Sequence, residues 1–272
     1  MIREMQIRKY SERTIACYIS SLSKLANYFN LSPDKISTEQ FKDFLHSRIT
    51  DDHISASMIN QSISAFKILQ TDVLGREWES IKIKRPRREK KLPVVLSTGE
   101  ISKMISLTIN IKHKALLALA YSSGLRRNEI QMIKAADIDS ERMLIHVKTA
   151  KGKKQRYTIL SKKALELLRI YYKTEKPSNY LFETKLKKGR SYAPETLNRI
   201  VKNAAEKAGI KKKISFHSLR HTFATHLLEK GINLRIIQQY MGHNSIKTTS
   251  MYLHVANIDN SQICSPLDDM DI

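Results

Sequence analysis

Between Phe216 and Val255 the chain reads FHSLRHTFATHLLEKGINLRIIQQYMGHNSIKTTSMYLHV. Four of its residues, His217, Arg220, His243 and Tyr252, have types and spacings suited to work on a phosphodiester. A phosphodiester resists attack because the charge on its two non-bridging oxygens repels a nucleophile. A guanidinium neutralises that charge and grips the oxygen pair through two parallel hydrogen bonds, most strongly as the pentacoordinate state forms. A tyrosine hydroxyl, with a pKa of about 10, needs a base or nearby positive charge before it can attack. On this chemistry Tyr252 attacks, Arg220 clamps the phosphate, His217 is a candidate base and His243 hydrogen-bonds a phosphate oxygen. A phosphotyrosine link conserves the energy of the broken bond, so strands could be rejoined without ATP.

The elements that position these residues are readable. Leu219, Phe223, Ala224, Leu227 and Leu228 recur at three and four, so a helix buries that stripe. His217 and Arg220 share another face near its N-terminus, where backbone N–H groups favour an anion. Gly231 follows as a left-handed cap. A second periodic segment (Leu234, Ile237, Tyr240, Met241) leads to Gly242-His243, and Tyr252 comes nine residues after His243. Tyr240 falls on the apolar stripe and reads as core. His221 and His226 receive no catalytic task and read as helix-surface or supporting residues.

The pattern H-x-x-R-H, G-H and Y resembles the closing motif of the tyrosine recombinases, the phage-integrase family that includes the bacterial chromosome-dimer resolvases. The resemblance extends upstream. Tyr121 to Ile130, YSSGLRRNEI, is similar to the family's first catalytic-arginine motif. It implies that Arg126 is a second phosphate clamp and Glu129 a supporting buried carboxylate. Arg127 is equally able chemically, and the register between the two rests on the resemblance. Met143 to Leu160 alternates as a hairpin, with MLIHV and RYTIL as its strands and a tip near Ala150 to Lys154. The family carries a lysine on such a turn to protonate the departing 5′ oxygen, and Lys151 matches it. Lys148, Lys153 and Lys154 are neighbours that could sample the same space. Where the family has G-K-G, this chain has Ala150-Lys151-Gly152.

The chain of 272 residues holds 48 Lys and Arg against 26 Asp and Glu, a net charge of +22. An excess of that size predicts salt-sensitive binding to a polyanion, whether DNA, RNA or an anionic surface. Cys17 and Cys264 have no partner spacing, so neither a disulfide framework nor a zinc site is indicated. The longest apolar run, Ala115 to Tyr121, is far too short to span a bilayer, and no signal peptide is visible. A cytoplasmic, nucleoid-associated protein is expected, with no cofactor and no metal.

Read in order, three helical segments fill the first 81 residues: Ser11 to Phe29, one opening at Thr38-Glu39, and Ser57 to Leu74. Their polar face includes Lys9, Arg13, Lys24, Asn60, Gln61 and Lys67, a face that either meets solvent or lies on DNA. The resemblance implies the second, as an N-terminal core-binding domain spanning 1–81. Residues 82–91, within IKIKRPRREKK, read as a basic linker. A catalytic domain then spans 92–272, entered through the capping box Ser97-Thr98-Gly99-Glu100. Its expected elements include a helix from Lys112 to Ser123 capped by Gly124, an amphipathic helix from Ser161 to Tyr172, a short strand Tyr180-Leu181-Phe182, and a helix from Pro194 to Ala208 stopped by Gly209. After Tyr252 the chain turns acidic (Asp259, Asp268, Asp269, Asp271) and reads as a disordered tail. In the family this end often packs on a neighbouring protomer. The fold class expected is mainly α with a small β-sheet, a helical domain followed by an α+β catalytic domain.

The resemblance implies a site-specific recombinase or integrase that cuts and rejoins DNA through a 3′-phosphotyrosine intermediate and a Holliday junction. Its partner would be double-stranded DNA with inverted half-sites, bound by a homodimer on each site and a homotetramer in synapsis. The alternative is a DNA-binding regulator without chemistry, which has no use for a tyrosine nine residues after Gly-His. A metal-dependent nuclease needs convergent carboxylates, and the acids here are scattered. A type IB topoisomerase would share the chemistry but not the N-terminal helical domain.

Overall fold

Helix signals at the start of the chain resolve into a bundle. In a computed structural model, which describes residues 1–78, 85–86, 92–148, 155–184 and 188–257, the chain divides into two compact units, Met1–Lys90 and Lys91–Ile272. The first contains α1 (Ile2–Ile7), α2 (Glu12–Phe29), α3 (Thr38–Thr50) and α4 (Ala56–Ile68). Three serines set the starts of the longer helices. Ser11 accepts from Thr14 N, Ser55 from Met58 N, and Ser37 forms a reciprocal box with Gln40. Leu22, Leu25, Phe41, Phe44, Ile63 and Phe66 close the core, and the Phe41 and Phe66 rings stack with centroids 4.2 Å apart. The third expected helix runs into a π-helical turn, Leu69–Val73, before Gly75 ends it. The short α1 was not expected. Only Arg85 and Pro86 of the basic stretch from 82 to 91 are described, so the linker reading lies outside the described residues.

The second unit contains α5 (Thr98–Ser106), α6 (Ile111–Ser123), α7 (Arg127–Met132), α8 (Lys162–Glu175), α9 (Pro194–Lys207), α10 (Phe216–Glu229), α11 (Leu234–Met241) and α12 (Ile246–Thr249). A 3₁₀ turn, Ser250–His254, follows α12. The apolar run of the sequence belongs to α6, where Ala115, Leu116, Leu117, Leu119 and Ala120 are fully buried. A helix apolar on every side must be packed on every side, and α6 lies against both α8 and α10. Among the described residues no helix is long and apolar enough to cross a membrane.

The hairpin is present as β2 (Leu144–Val147) and β3 (Arg156–Ile159), paired antiparallel with Val147 opposite Arg156. A two-residue strand β1 (Ile138–Asp139) extends it to a three-stranded sheet in the order β1-β2-β3. Tyr180 to Phe182 is not a strand, contrary to expectation. Its bends are organised by the Glu183 carboxylate, which accepts backbone N–H groups of Ser178, Asn179, Tyr180 and Gly189, leaving only a single bridge between Glu183 and Ser191. A carboxylate satisfies those donors where a strand partner would otherwise be needed.

Gly124 ends α6 at φ +59, and a Cβ there would stand 2.3 Å from the buried Phe223 ring on α10. Both the left-handed backbone and the missing side chain are therefore required. Gly124→Ala should lower stability by about 2–5 kcal/mol, from backbone strain plus overpacking. A urea-unfolding midpoint indistinguishable from wild type would refute the contact.

Candidate active site

Three guanidiniums and one carboxylate build the centre of the second unit. Arg126 stands just before α7, and Glu129 folds back from its first turn to accept the Arg126 backbone N–H at 2.7 Å and Nη1 at 2.9 Å. Arg156, on β3, grips the same carboxylate through both terminal nitrogens, at 2.6 and 2.8 Å. Both oxygens of Glu129 are thus filled. Burial alone would raise this carboxyl, but the Arg156 bonds and charge, helped by Arg126, hold it below the ordinary carboxylate range.

The remaining cation contacts go to backbone carbonyls at helix C-termini. Arg126 Nη2 donates to Gly242 O at 2.8 Å, and Arg156 Nε to Tyr240 O at 2.8 Å. Arg220, buried in the second turn of α10, donates to Gly124 O at 2.5 Å and to Met241 O. Gly124 caps α6 and Gly242 caps α11, both in the left-handed conformation. The negative ends of the two helices therefore face the arginines. Burial and then the Arg126 charge push Arg220 down to about 9, which still leaves it a cation at neutral pH. Beside Arg126, the Nε of Arg127 is buried without a hydrogen-bond partner.

His243 follows the Gly242 cap and spans the next gap. Its Nε2 lies 3.2 Å from Arg220 Nη2 and its Nδ1 3.0 Å from Thr249 Oγ1. Since a guanidinium only donates, Nε2 accepts and Nδ1 carries the proton to Thr249. Burial, then the Arg220 charge, lowers His243 to about 3, so the ring is neutral. His217, in the first turn of α10, is lowered by burial and then by Arg220, Arg127 and Arg126.

Tyr252 is 1% exposed, on the 3₁₀ turn packed against α10. Its hydroxyl lies 3.2 Å from Nδ1 of His221. The His243 ring stacks near it at 6.5 Å between centroids and an interplanar angle of 16°. Burial raises the phenol to about 12, while Arg220 and Arg126 are near enough to oppose the rise.

Of the residues singled out in the sequence, Arg126, Glu129, Arg220, His243 and Tyr252 come together here, with His217 on the same helix as Arg220. Lys151 lies outside the described residues, as do Lys153, Lys154 and the acidic end from Ile258. His226 is buried and bonds the Tyr121 hydroxyl at 2.9 Å through Nδ1. Tyr240 is half-buried rather than core. Two participants were missed. Arg156 gave no motif signal, and His221 was assigned to a supporting face although it stands one turn beyond His217 on the same helix.

Residues 95–258 match the phage integrase family, and residues 1–80 match the N-terminal SAM-like domain of phage integrases. The chain is 31% identical over 263 residues to a tyrosine recombinase of Thermosipho africanus, covering 92% of each. It is 32% identical over 254 residues to tyrosine recombinase XerA of Pyrococcus horikoshii, covering 92% of this chain and 86% of that one. The crystal structure of the XerH site-specific recombinase aligns with a TM-score of 0.74 at 23% identity, over 92% of this chain and 78% of that one. A mainly helical protein of this build, its arginines gathered beside a buried tyrosine, is a site-specific recombinase rather than a regulator without chemistry. The chain belongs to the phage integrase family.

Because the Glu129 carboxyl is lowered in the folded state, its contribution to stability is present above its unfolded pKa, about 4.3. That contribution is lost as pH falls through the lower folded value. Glu129→Gln should cost about 3–5 kcal/mol at pH 7 by leaving buried guanidiniums unpaired. The gap between wild type and variant should narrow in acid. Urea unfolding at pH 7 and at pH 3 measures both, and a gap that widens in acid would contradict the assignment.

Proposed function

We propose that this recombinase cuts and rejoins double-stranded DNA at a specific site, with Tyr252 forming a 3′-phosphotyrosine link. The observation that carries the reading is charge. Arg126 and Arg156 share the one carboxylate of Glu129, and Arg220 has no anionic partner among the described residues, so the three guanidiniums beside Tyr252 carry more positive charge than Glu129 balances. Carbonyl dipoles hold those arginines without cancelling them, which suits a site whose anion arrives with the substrate.

In this reading Arg126 and Arg220 clamp the non-bridging oxygens of the scissile phosphate, and Glu129 steadies Arg126. His217, at the N-terminal end of α10, faces the same charge and assists at the phosphate, as does His243 along the Arg220 edge. Lys151 protonates the departing 5′ oxygen. The phosphotyrosine retains the energy of the broken bond, so rejoining needs no ATP and no metal. The likeness to XerH, solved with its palindromic difH substrate in a post-cleavage complex, supports DNA as the partner. So does the Tn1549 transposon integrase, solved with circular intermediate DNA.

The finer assembly follows from the same chemistry. One active site cuts one strand, so exchange between two duplexes needs paired sites. We take the arrangement to be a homodimer on inverted half-sites and a homotetramer in synapsis, acting through a Holliday junction. The setting is the cytoplasm, at the nucleoid.

The test is covalent trapping on nicked duplexes taken from the flanks of the protein's own gene and from a genomic fragment library, in EDTA, resolved on a denaturing gel. Wild type should give a protein–DNA band that Tyr252→Phe abolishes without loss of DNA affinity. Arg220→Ala should slow band formation by about 10²–10³-fold. Cleavage by Tyr252→Phe would show that another residue is the nucleophile, and no band on any fragment would defeat the enzyme reading.

A further inference from the structure

His221 has no part in the roles above, yet among the described residues it is the side chain that hydrogen-bonds the Tyr252 hydroxyl. Its Nδ1 lies 3.2 Å from Oη, with the rings 5.8 Å apart and tilted by 53°. A neutral phenol is a good donor, and the unprotonated nitrogen of a neutral imidazole is a good acceptor. The pair is therefore favoured with the ring proton on Nε2 and the hydroxyl donating to Nδ1.

Other groups near Tyr252 are less available for its proton. His243 has both ring nitrogens engaged, with Arg220 and Thr249. Both Glu129 oxygens are filled by arginine N–H groups and the Arg126 backbone. His217, the base expected from the sequence, makes no hydrogen bond to Tyr252 among the described residues. The groups that bear on the His221 charge are His217 and Arg220 from its own helix, with His243 from the loop after α11. Burial, then His217 and Arg220, lower the ring to about 4, so it is neutral and able to accept at physiological pH.

We infer that His221 accepts the proton of Tyr252 as the hydroxyl attacks the DNA phosphate. This rests on the strand-cleavage reading above. As the Oη–P bond forms, the Oη proton passes to Nδ1 of His221. The P–O5′ bond breaks with its electron pair remaining on the 5′ oxygen, which takes a proton from Lys151. Ligation reverses each transfer, and the imidazolium returns its proton to Oη as the tyrosine leaves. A weakly basic ring gives the proton back readily, which suits an enzyme that must rejoin what it cuts. The phosphate on the arginines offsets the cationic surroundings that would otherwise oppose imidazolium formation.

Two measurements test this. In the full chain without DNA at pH 7, the ¹⁵N spectrum of His221 should show an unprotonated Nδ1 whose hydrogen-bond shift disappears in Tyr252→Phe. A proton on Nδ1 would overturn the inference. In single-turnover cleavage, the probe is whichever fragment wild type cuts, made with an ordinary or a sulfur-bridged 5′ leaving group. His221→Asn keeps an acceptor near Nδ1 but cannot take up a proton. It should bind DNA normally and cleave about 10²–10⁴-fold more slowly. A thiolate leaves without protonation, so sulfur should rescue Lys151→Ala and leave the His221→Asn defect in place. Wild-type rates in His221→Asn, or its rescue by sulfur, would overturn the inference and leave the recombinase reading intact. No cleavage by wild type on any fragment would end both.

Discussion

Everything at the site depends on holding arginines in place without neutralising them. A buried guanidinium is ordinarily paired with a carboxylate, because an uncompensated charge in a low dielectric is costly. Here a single carboxylate, Glu129, serves Arg126 and Arg156, while Arg220 is held by Gly124 O, Met241 O and His243. Carbonyl oxygens at helix ends satisfy N–H donors and contribute partial negative charge, yet they leave the full cation available to an anion from outside. The ends of α6 and α11 are as much a part of this arrangement as the arginines. That is why both helices stop at glycines whose backbone a residue with a side chain adopts only under strain.

The same positive environment governs the neutral groups. Burial and neighbouring cations push the histidines down, to about 4 for His221 and about 3 for His243, while burial pushes Tyr252 up to about 12. Without an anion on the arginines, Tyr252 is protonated and the histidines beside it are poor bases. On the proposed reading, a bound phosphodiester brings one negative charge, which weakens the positive local field without reversing it. It makes imidazolium formation easier, and the arginines it engages stabilise charge that develops in the transition state. On that reading, readiness to react is tied to occupancy of the site.

Much of this was legible in the sequence, and the exceptions have physical reasons. Arg220, His243 and Tyr252 were readable because a helix, a left-handed cap and a short turn fix their separations. Arg126 was readable only through the family resemblance of YSSGLRRNEI, since its place after the α6 cap does not separate it from Arg127. Arg156 was not. In RYTIL the ordinary alternation would turn Tyr157 and Ile159 inward, but Tyr157 is 47% exposed, stacked on His146, while Arg156 and Thr158 face the interior. The strand is inverted because its buried face meets Glu129 and the Ser123 carbonyl rather than an apolar layer. His221 had a signal that went unused, since it lies four residues after His217 and shares its face. Tyr180-Leu181-Phe182 looked like a strand because it is apolar, but the Glu183 carboxylate takes the Tyr180 N–H and the Ile133 carbonyl takes the Leu181 N–H, in place of a strand ladder. The two-residue β1 and the single-turn π segment are too short to leave a periodic trace.

The contact between Gly242 and Arg156 carries a consequence for sequence variation. A Cβ on Gly242 would lie 2.7 Å from Arg156 Cδ, so the arginine stem occupies the space that any side chain at 242 would need. The two positions, 86 residues apart, are therefore not independent sites of change. An arginine at 156 adds a steric bar to a position that its left-handed backbone already restricts, and a side chain at 242 requires a shorter or displaced residue at 156. The constraint runs one way: position 156 can shorten while 242 stays glycine, but a side chain at 242 meets both the arginine stem and the strain of a left-handed backbone at φ +58.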